Sequence, residues 1–260
     1  MTIRAAGRMC WFGWEVGVII LNYFLTAAWA PKGQQRLARA AWLSRSSRRH
    51  LKIFSYTASV SGDVPKRGLL ISNHLSYLDV LAISAVTPAV FVSKAEVRHW
   101  PLFGWLAAIA GTVFVARERR TQVGEVNREI ETALAAGALV VVFPEGTSTN
   151  GETILPFRTS LLEPAARGNH EISVGWIHYE VPGGDAGRDV CYWGDHSFLP
   201  HVLNLLGLKS IRGTLRFAKF PLATDDRKVL AGQLHAAVQA LKDTAPPPSP
   251  AGVVRSPSAP

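Results

Sequence analysis

From Tyr56 onward, apolar runs of four to six residues alternate with longer stretches of helical period, and no other feature restricts the chain so much. Runs of this length, rich in β-branched and aromatic residues and bounded by Gly, Pro or Ser, read as strands. They are Tyr56 to Val60, Leu69 to Ser72, Val90 to Ser93, Thr112 to Ala116, Leu139 to Phe143, Ile172 to Ile177, Val190 to Trp193 and Thr214 to Ala218. Between them, Gln122 to Ala136 places apolar residues at 123, 126, 130, 133 and 134 and stops at Gly137, which is a helical stripe with a C-terminal glycine. Asp225 to Lys242 reads as a last amphipathic helix, with Leu230, Leu234, Val238 and Leu241 on one face. Strands alternating with helices predict an α/β fold with a mixed, mainly parallel sheet flanked by helices.

The first 55 residues follow another pattern. Trp11 to Ala30 is apolar apart from Glu15 and Asn22, with tryptophans near both ends, and is about long enough to cross a hydrocarbon core of roughly 30 Å. It is expected to be a membrane-embedded helix that is retained, Ala27-Ala28-Trp29-Ala30 being the nearest approach to a signal cleavage site. Gln34 to Phe54 interleaves leucines and alanines with arginines, which suits a basic helix lying on lipid headgroups; the plainer alternative is a solvated helix packed on the body.

Of the net charge of +9, residues 1–55 carry +8 (nine Lys and Arg against Glu15), leaving +1 for the other 205. A basic excess confined to a segment beside an apolar one points to an anionic membrane and away from nucleic acid. Cys10 and Cys191 match no zinc or redox spacing, so no metal site is expected and a reducing compartment fits. Thr244 to Pro260, with six prolines, reads as a disordered tail.

Three segments carry candidate chemistry. In Asn73-His74-Leu75-Ser76-Tyr77-Leu78-Asp79 a histidine falls in the connection between a buried strand and a helix. An imidazole can take a proton from a hydroxyl at neutral pH, and a carboxylate on its other nitrogen fixes the tautomer, the role open to Asp79. Ser76 to Asp79 also fits a capping box, in which Asp79 only closes the helix start. The strand Leu139 to Phe143 runs into Pro144-Glu145-Gly146-Thr147-Ser148, where Gly146 allows close backbone approach and Glu145 could accept hydrogen bonds from a substrate; a solvated turn is the alternative. Gly111 to Arg117 delivers Arg117 at a strand end with Arg119 and Arg120 behind it, a grip for phosphate or a solvated charge cluster. The chain has no Gly-x-Ser-x-Gly elbow, no phosphate-binding Gly-x-x-x-x-Gly-Lys and no Gly-x-Gly-x-x-Gly, so esterase, nucleotide hydrolase and dinucleotide readings lack support.

In order and content the three segments resemble the blocks of the glycerolipid acyltransferase family: Asn73-His74 with Asp79, then Gly111 to Arg117, then Phe143 to Ser148. The likeness runs from about Tyr56 to Phe220. Two positions depart from the family pattern: Val174-Gly175-Trp176 stands where Val-Pro-Val is usual, and Ser160 where glycine is common. Tyr192-Trp193-Gly194-Asp195, with Phe198, Pro200 and His201, resembles a subset that includes acyltransferases of lyso-ornithine lipids.

The resemblance implies an O-acyltransferase that moves a fatty acyl group from a thioester to the free hydroxyl of a lysophospholipid, with 1-acylglycerol-3-phosphate as the first acceptor and lyso-ornithine lipid as the alternative. A catalytically silent lipid-binding membrane protein is a reading of another class. His74 and Asp79 would be catalytic, while Arg117, Glu145, Gly146 and Thr147 would hold substrate. No cofactor is implied, acyl-CoA or acyl carrier protein being a co-substrate, and membrane lipids are the other partners. The implied organisation is membrane-associated helices over 1–55, an acyltransferase domain over 56–243 and a tail over 244–260, on the cytoplasmic face of the inner membrane.

Overall fold

A computed structural model describes residues 3–115, 123–168, 170–222 and 224–244. The chain opens with a helical hairpin of α1 (Ile3–Thr26) and α2 (Gln35–Ile53). Contacts that run in opposite sense along the two helices make them antiparallel. Trp42 Nε1 donates to the Ile19 carbonyl at 2.9 Å, Phe12 packs edge-on against His50, and Arg49 forms two hydrogen bonds to Glu15, at 2.6 and 2.9 Å. The arginine answers a question the sequence raised, since a lone carboxylate in an apolar helix needs a partner to be buried.

The start of α1 is tied to the body as well. Arg8 reaches the backbone carbonyls at the end of α8 (Phe198–Gly207), donating to Leu208 O at 2.5 Å, where the helix leaves acceptors unsatisfied. Thus α1 begins eight residues earlier and ends four residues sooner than the apolar run suggests, because polar Arg4 and Arg8 are helical and docked. Its outer face leaves Trp14, Leu21, Phe24 and Leu25 exposed, and among the described residues α1 alone is long and apolar enough to cross a membrane.

Seven strands form one sheet in the order β1-β7-β6-β2-β5-β3-β4: β1 (Tyr56–Gly62), β2 (Gly68–Ser72), β3 (Val90–Lys94), β4 (Val113–Val115), β5 (Leu139–Val142), β6 (Ile172–Glu180) and β7 (Ile211–Phe220). Every pairing is parallel except β6 with β7, so the sheet is mixed and mainly parallel as expected. The two central strands are buried on both faces. Along β2 and β5, Leu70, Leu139 and Val141 pack toward α3 (Leu78–Val86), α2 and α8, while Leu69, Ile71, Val140 and Val142 pack toward α5 (Val123–Ala135) and α9 (Arg227–Asp243). That period-two division is why these strands read as continuous apolar runs.

Antiparallel pairing extends β6 and β7 beyond the expected Ile177 and Ala218, to Glu180 and Phe220. Gly175, at the proline position of the related family, is packed on both sides: a Cβ there would lie 3.1 Å from Leu70 Cδ1 and 3.3 Å from Phe217.

One expected strand does not form. Val190 to Trp193 follows the short helix α7 (Ala186–Asp189) as an irregular segment, with Gly194 at φ +59° turning the chain away. Val190 and Cys191 are buried there, but against the core and not in a ladder. The expected tail lies, beyond Thr244, outside the described residues.

Parallel pairing puts the carboxyl ends of β2, β3, β4 and β5 at one edge. In register, Ile71 lies opposite Val142, so the residues three positions further on, His74 and Glu145, come side by side.

Trp42 is 1% exposed and closes the space between the helices of the hairpin. Trp42→Ala should therefore lower stability by about 3–5 kcal/mol, the range for truncating a buried aromatic, measured as a fall in the denaturation midpoint, with faster proteolysis of the 27–34 turn.

Candidate active site

The connection after β2 is shaped by its own side chains. Asn73 acts as an extra rung of the sheet: its amide donates to Ile177 O at 3.0 Å and accepts from Ile177 N at 2.8 Å. This lifts the next residue over the sheet edge. The His74 amide donates to Glu145 Oε1 at 2.8 Å, its carbonyl accepts from Thr149 N at 3.0 Å, and its ring stacks on Phe143, centroids 4.2 Å apart and 13° from parallel. Nδ1 lies 2.7 Å from Asp79 Oδ2. A carboxylate only accepts, so the Nδ1 proton belongs to this bond and Nε2 keeps its lone pair.

Asp79 is wholly buried at the first turn of α3. A charge so placed must be hydrogen-bonded to be tolerated, and four donors meet it: His74 Nδ1, the amides of Leu75 (2.7 Å) and Ser76 (3.0 Å), and the Tyr179 hydroxyl at 2.7 Å. Burial, then the charge of Asp79, pushes the Tyr179 hydroxyl well above its ordinary pKa, so it stays a donor. The two readings of this heptapeptide are only partly compatible. Asp79 does reach back to the Ser76 amide, but the helix starts at Leu78 with Tyr77 in the cap position, and the Ser76 hydroxyl is buried with no hydrogen-bond partner.

Glu145 is built into the backbone framework of the site. It is 2% exposed, and its oxygens accept from His74 N and Leu155 N, both at 2.8 Å, so the carboxylate joins two backbone segments. Burial raises its pKa, opposed by those two amides. Gly146, at φ +73°, turns the chain, and Gly146, Thr147 and Ser148 line the same cavity as His74. Arg117 lies outside the described residues.

Sequence reasoning missed the residues that arrive from afar. Tyr179 is 100 positions from Asp79, and no local pattern announces it. The irregular segment mistaken for a strand also has a place at the site. The Tyr192 amide donates to Leu75 O at 2.8 Å and its carbonyl accepts from the Ser148 hydroxyl, so it bridges the His74 loop and the Ser148 loop. Tyr77 shares a hydrogen bond of 2.8 Å with His201 Nδ1.

A cavity of about 310 Å³ is lined by His74, Phe143 and Gly146 together with Phe12 and Ile19 of α1 and Trp42 and Leu43 of α2. Its wall is mostly aromatic and aliphatic, with Phe91, Trp100, Phe103, Tyr192 and Phe198 also contributing. Among the described residues no cluster of three or more His, Cys, Asp or Glu is placed to hold a metal ion.

A histidine held by a buried aspartate lies at the carboxyl edge of a mainly parallel sheet and lines an apolar cavity, a chemistry able to take a proton from a hydroxyl. The family profile described as Acyltransferase matches residues 55–175, which covers β1 to the middle of β6. The chain is 37% identical over 191 residues to the lyso-ornithine lipid O-acyltransferase of Brucella abortus, spanning 68% of this chain and 72% of that one. Over 222 residues it is 35% identical to the lyso-ornithine lipid O-acyltransferase of Pseudomonas aeruginosa, spanning 82% and 81%. The 1-acyl-sn-glycerol-3-phosphate acyltransferase of Neisseria gonorrhoeae is 31% identical over 172 residues, spanning 63% and 67%. The crystal structure of the 1-acyl-sn-glycerophosphate acyltransferase of Thermotoga maritima shares the fold, with a TM-score of 0.56 at 17% identity over 89% of this chain and 90% of that one. The chain belongs to the acyltransferase family and is an O-acyltransferase.

Burial lowers the His201 imidazole to about 4, with His196 acting in the same direction against weaker opposition from the Cys191 backbone and then Asp189. The unfolded chain, with an ordinary histidine near 6.5, therefore binds the proton more readily between about pH 4 and 6.5. The stabilising contribution of neutral His201 is complete above that window and lost as pH falls through it. The denaturation midpoint should fall on acidification from pH 6.5 to 4, and His201→Gln should flatten that dependence.

Proposed function

We propose that this protein transfers a fatty acyl group from a thioester donor to the free hydroxyl of a lysolipid at a membrane surface. The observation that carries the reading is the His74–Asp79 pair at the mouth of an apolar cavity. His74 Nε2 takes the hydroxyl proton as the oxygen attacks the thioester carbonyl; the C–O bond forms, the C–S bond breaks, and the imidazolium returns the proton to the departing thiolate. Asp79 stabilises the imidazolium while it lasts. No acyl-enzyme is required.

Glu145, with the Gly146 and Thr147 backbone, orients the acceptor and the developing oxyanion while also joining the two loops, and Arg117 keeps the part the resemblance implies, holding the acceptor's phosphate. The cavity seats acyl chain. The exposed apolar side of α1 enters the membrane, and the basic residues of segment 1–55 other than Arg8 and Arg49, which are engaged within the protein, lie on the anionic headgroups of the cytoplasmic face of the inner membrane. Segment 56–243 is then the catalytic domain, and the donor is acyl-CoA or acyl carrier protein.

Two acceptors fit. The relatives with the higher identity and longer coverage act on lyso-ornithine lipid, and the Tyr192 to His201 segment that resembles that subset is built into the site. The Neisseria relative favours 1-acylglycerol-3-phosphate. A silent lipid-binding protein has no observation in its favour.

His74→Ala should lower turnover by about 100-fold or more, the size of effect expected for a lost general base; activity near wild type in a membrane assay would sink the mechanism. Supplying lyso-ornithine lipid and 1-acylglycerol-3-phosphate in parallel and reading the products by mass decides the acceptor. Tyr179→Phe removes one hydrogen bond to a charged group and should lower kcat by about 10-fold while KM changes little.

A further inference from the structure

The cavity has a polar position that neither its shape nor the reaction at His74 explains. His50 lines it on α2, 6% exposed, among Phe12, Ile19, Trp42, Leu43 and Phe54. Its Nδ1 is 3.0 Å from the Ser46 carbonyl one turn back. A carbonyl can only accept, so the proton sits on Nδ1 and Nε2 carries a lone pair. The ring is held edge-on by Phe12, centroids 5.4 Å apart at 81°, and Phe12 is in turn stacked on Phe103 across the cavity wall. Burial, helped by the neighbouring Arg49, lowers the imidazole pKa against the opposing pull of the Ser46 carbonyl and Glu15, so the ring is neutral at neutral pH and Nε2 is an acceptor. Ser46, also buried, lines the same part of the wall. A wall meant only for saturated chain would be filled as well by leucine or phenylalanine at position 50, at no cost in buried polarity.

We propose that His50, with Ser46 beside it, forms a subsite for a hydroxyl group on a bound acyl chain, so that the enzyme accepts and favours a hydroxylated chain at one position. The proposal rests on the reading of the cavity as an acyl seat. A chain hydroxyl entering a wholly apolar pocket would leave its water partners unreplaced, whereas here it donates to Nε2. One such hydrogen bond corresponds to about a tenfold preference. His50 belongs to α2 and His74 to the connection after β2, two separate parts of the cavity wall, and the hydroxyl proposed at His50 is distinct from the one that is acylated.

The test uses the full-length protein in lipid vesicles with a panel of sixteen-carbon acyl-CoA donors, unsubstituted or hydroxylated at successive positions. The quantity read is the ratio of kcat/KM for each hydroxylated chain to that for the unsubstituted one. In the wild type one position should stand out. His50→Phe should lower that peak ratio by about tenfold, and His50→Gln, which keeps an acceptor in place, should retain part of it. A flat ratio along the chain in the wild type, or a peak unchanged in His50→Phe, would overturn the subsite. Direct binding of the matching hydroxylated and plain free fatty acids, read by intrinsic tryptophan fluorescence, supplies the second measurement. If no donor is turned over, the catalytic reading fails, yet a wild-type preference for the hydroxy acid that His50→Phe abolishes still supports the subsite, and no preference there overturns it.

Discussion

The Asp79 carboxylate is the constraint on which the rest of the site depends. It is a charge with no exposed surface, and such a charge is tolerated only when its lone pairs are met. Two of its four donors are amides of the connection that leaves β2, one is the imidazole of His74, and one is the hydroxyl of Tyr179 from β6. Meeting that demand therefore fixes the path of residues 74–76, the tautomer of the histidine and the docking of α3 on the sheet together. Its position in the first turn of α3 adds the favourable end of the helix dipole.

A second constraint is the register of the parallel sheet. Because Ile71 faces Val142, the loops beyond β2 and β5 leave the sheet side by side, and the Glu145 carboxylate can fasten His74 N and Leu155 N together. Tyr192 closes the arrangement by joining the same two loops through its backbone. The outcome is a histidine held on the sheet edge, stacked on Phe143, lining a cavity to which the helical hairpin also contributes wall. The N-terminal helices are thus more than a tether. They complete the pocket, and the pair of buried Glu15 with exposed Arg49, together with Trp42, holds them in the position that does so.

Most of this architecture was legible in local patterns. The strands β2, β3 and β5 and the helices α5 and α9 follow from period and punctuation, which are properties of neighbouring residues. The pairing of His74 with Asp79 was also readable, being five positions apart in one connection. Val190 to Trp193 was misread because an apolar run reports burial and not ladder pairing; Val190 and Cys191 are buried beside α7 with Gly194 bending the chain away. At Glu145 the sequence shows a carboxylate in a turn but not the two amides that engage it.

What the sequence determined by itself is the set of groups and their order: an α/β alternation, an apolar and basic N-terminus, a histidine and aspartate in one strand-to-helix connection, and a Gly-containing turn after a second strand. Only the tertiary structure decided which distant groups meet. Tyr179 on Asp79, Asn73 on Ile177, Tyr192 between two loops and His50 in the cavity wall all depend on contacts spanning tens to a hundred or more residues. Local propensity carries no information about such contacts, because they follow from strand register and helix packing, which are settled only when the whole core closes.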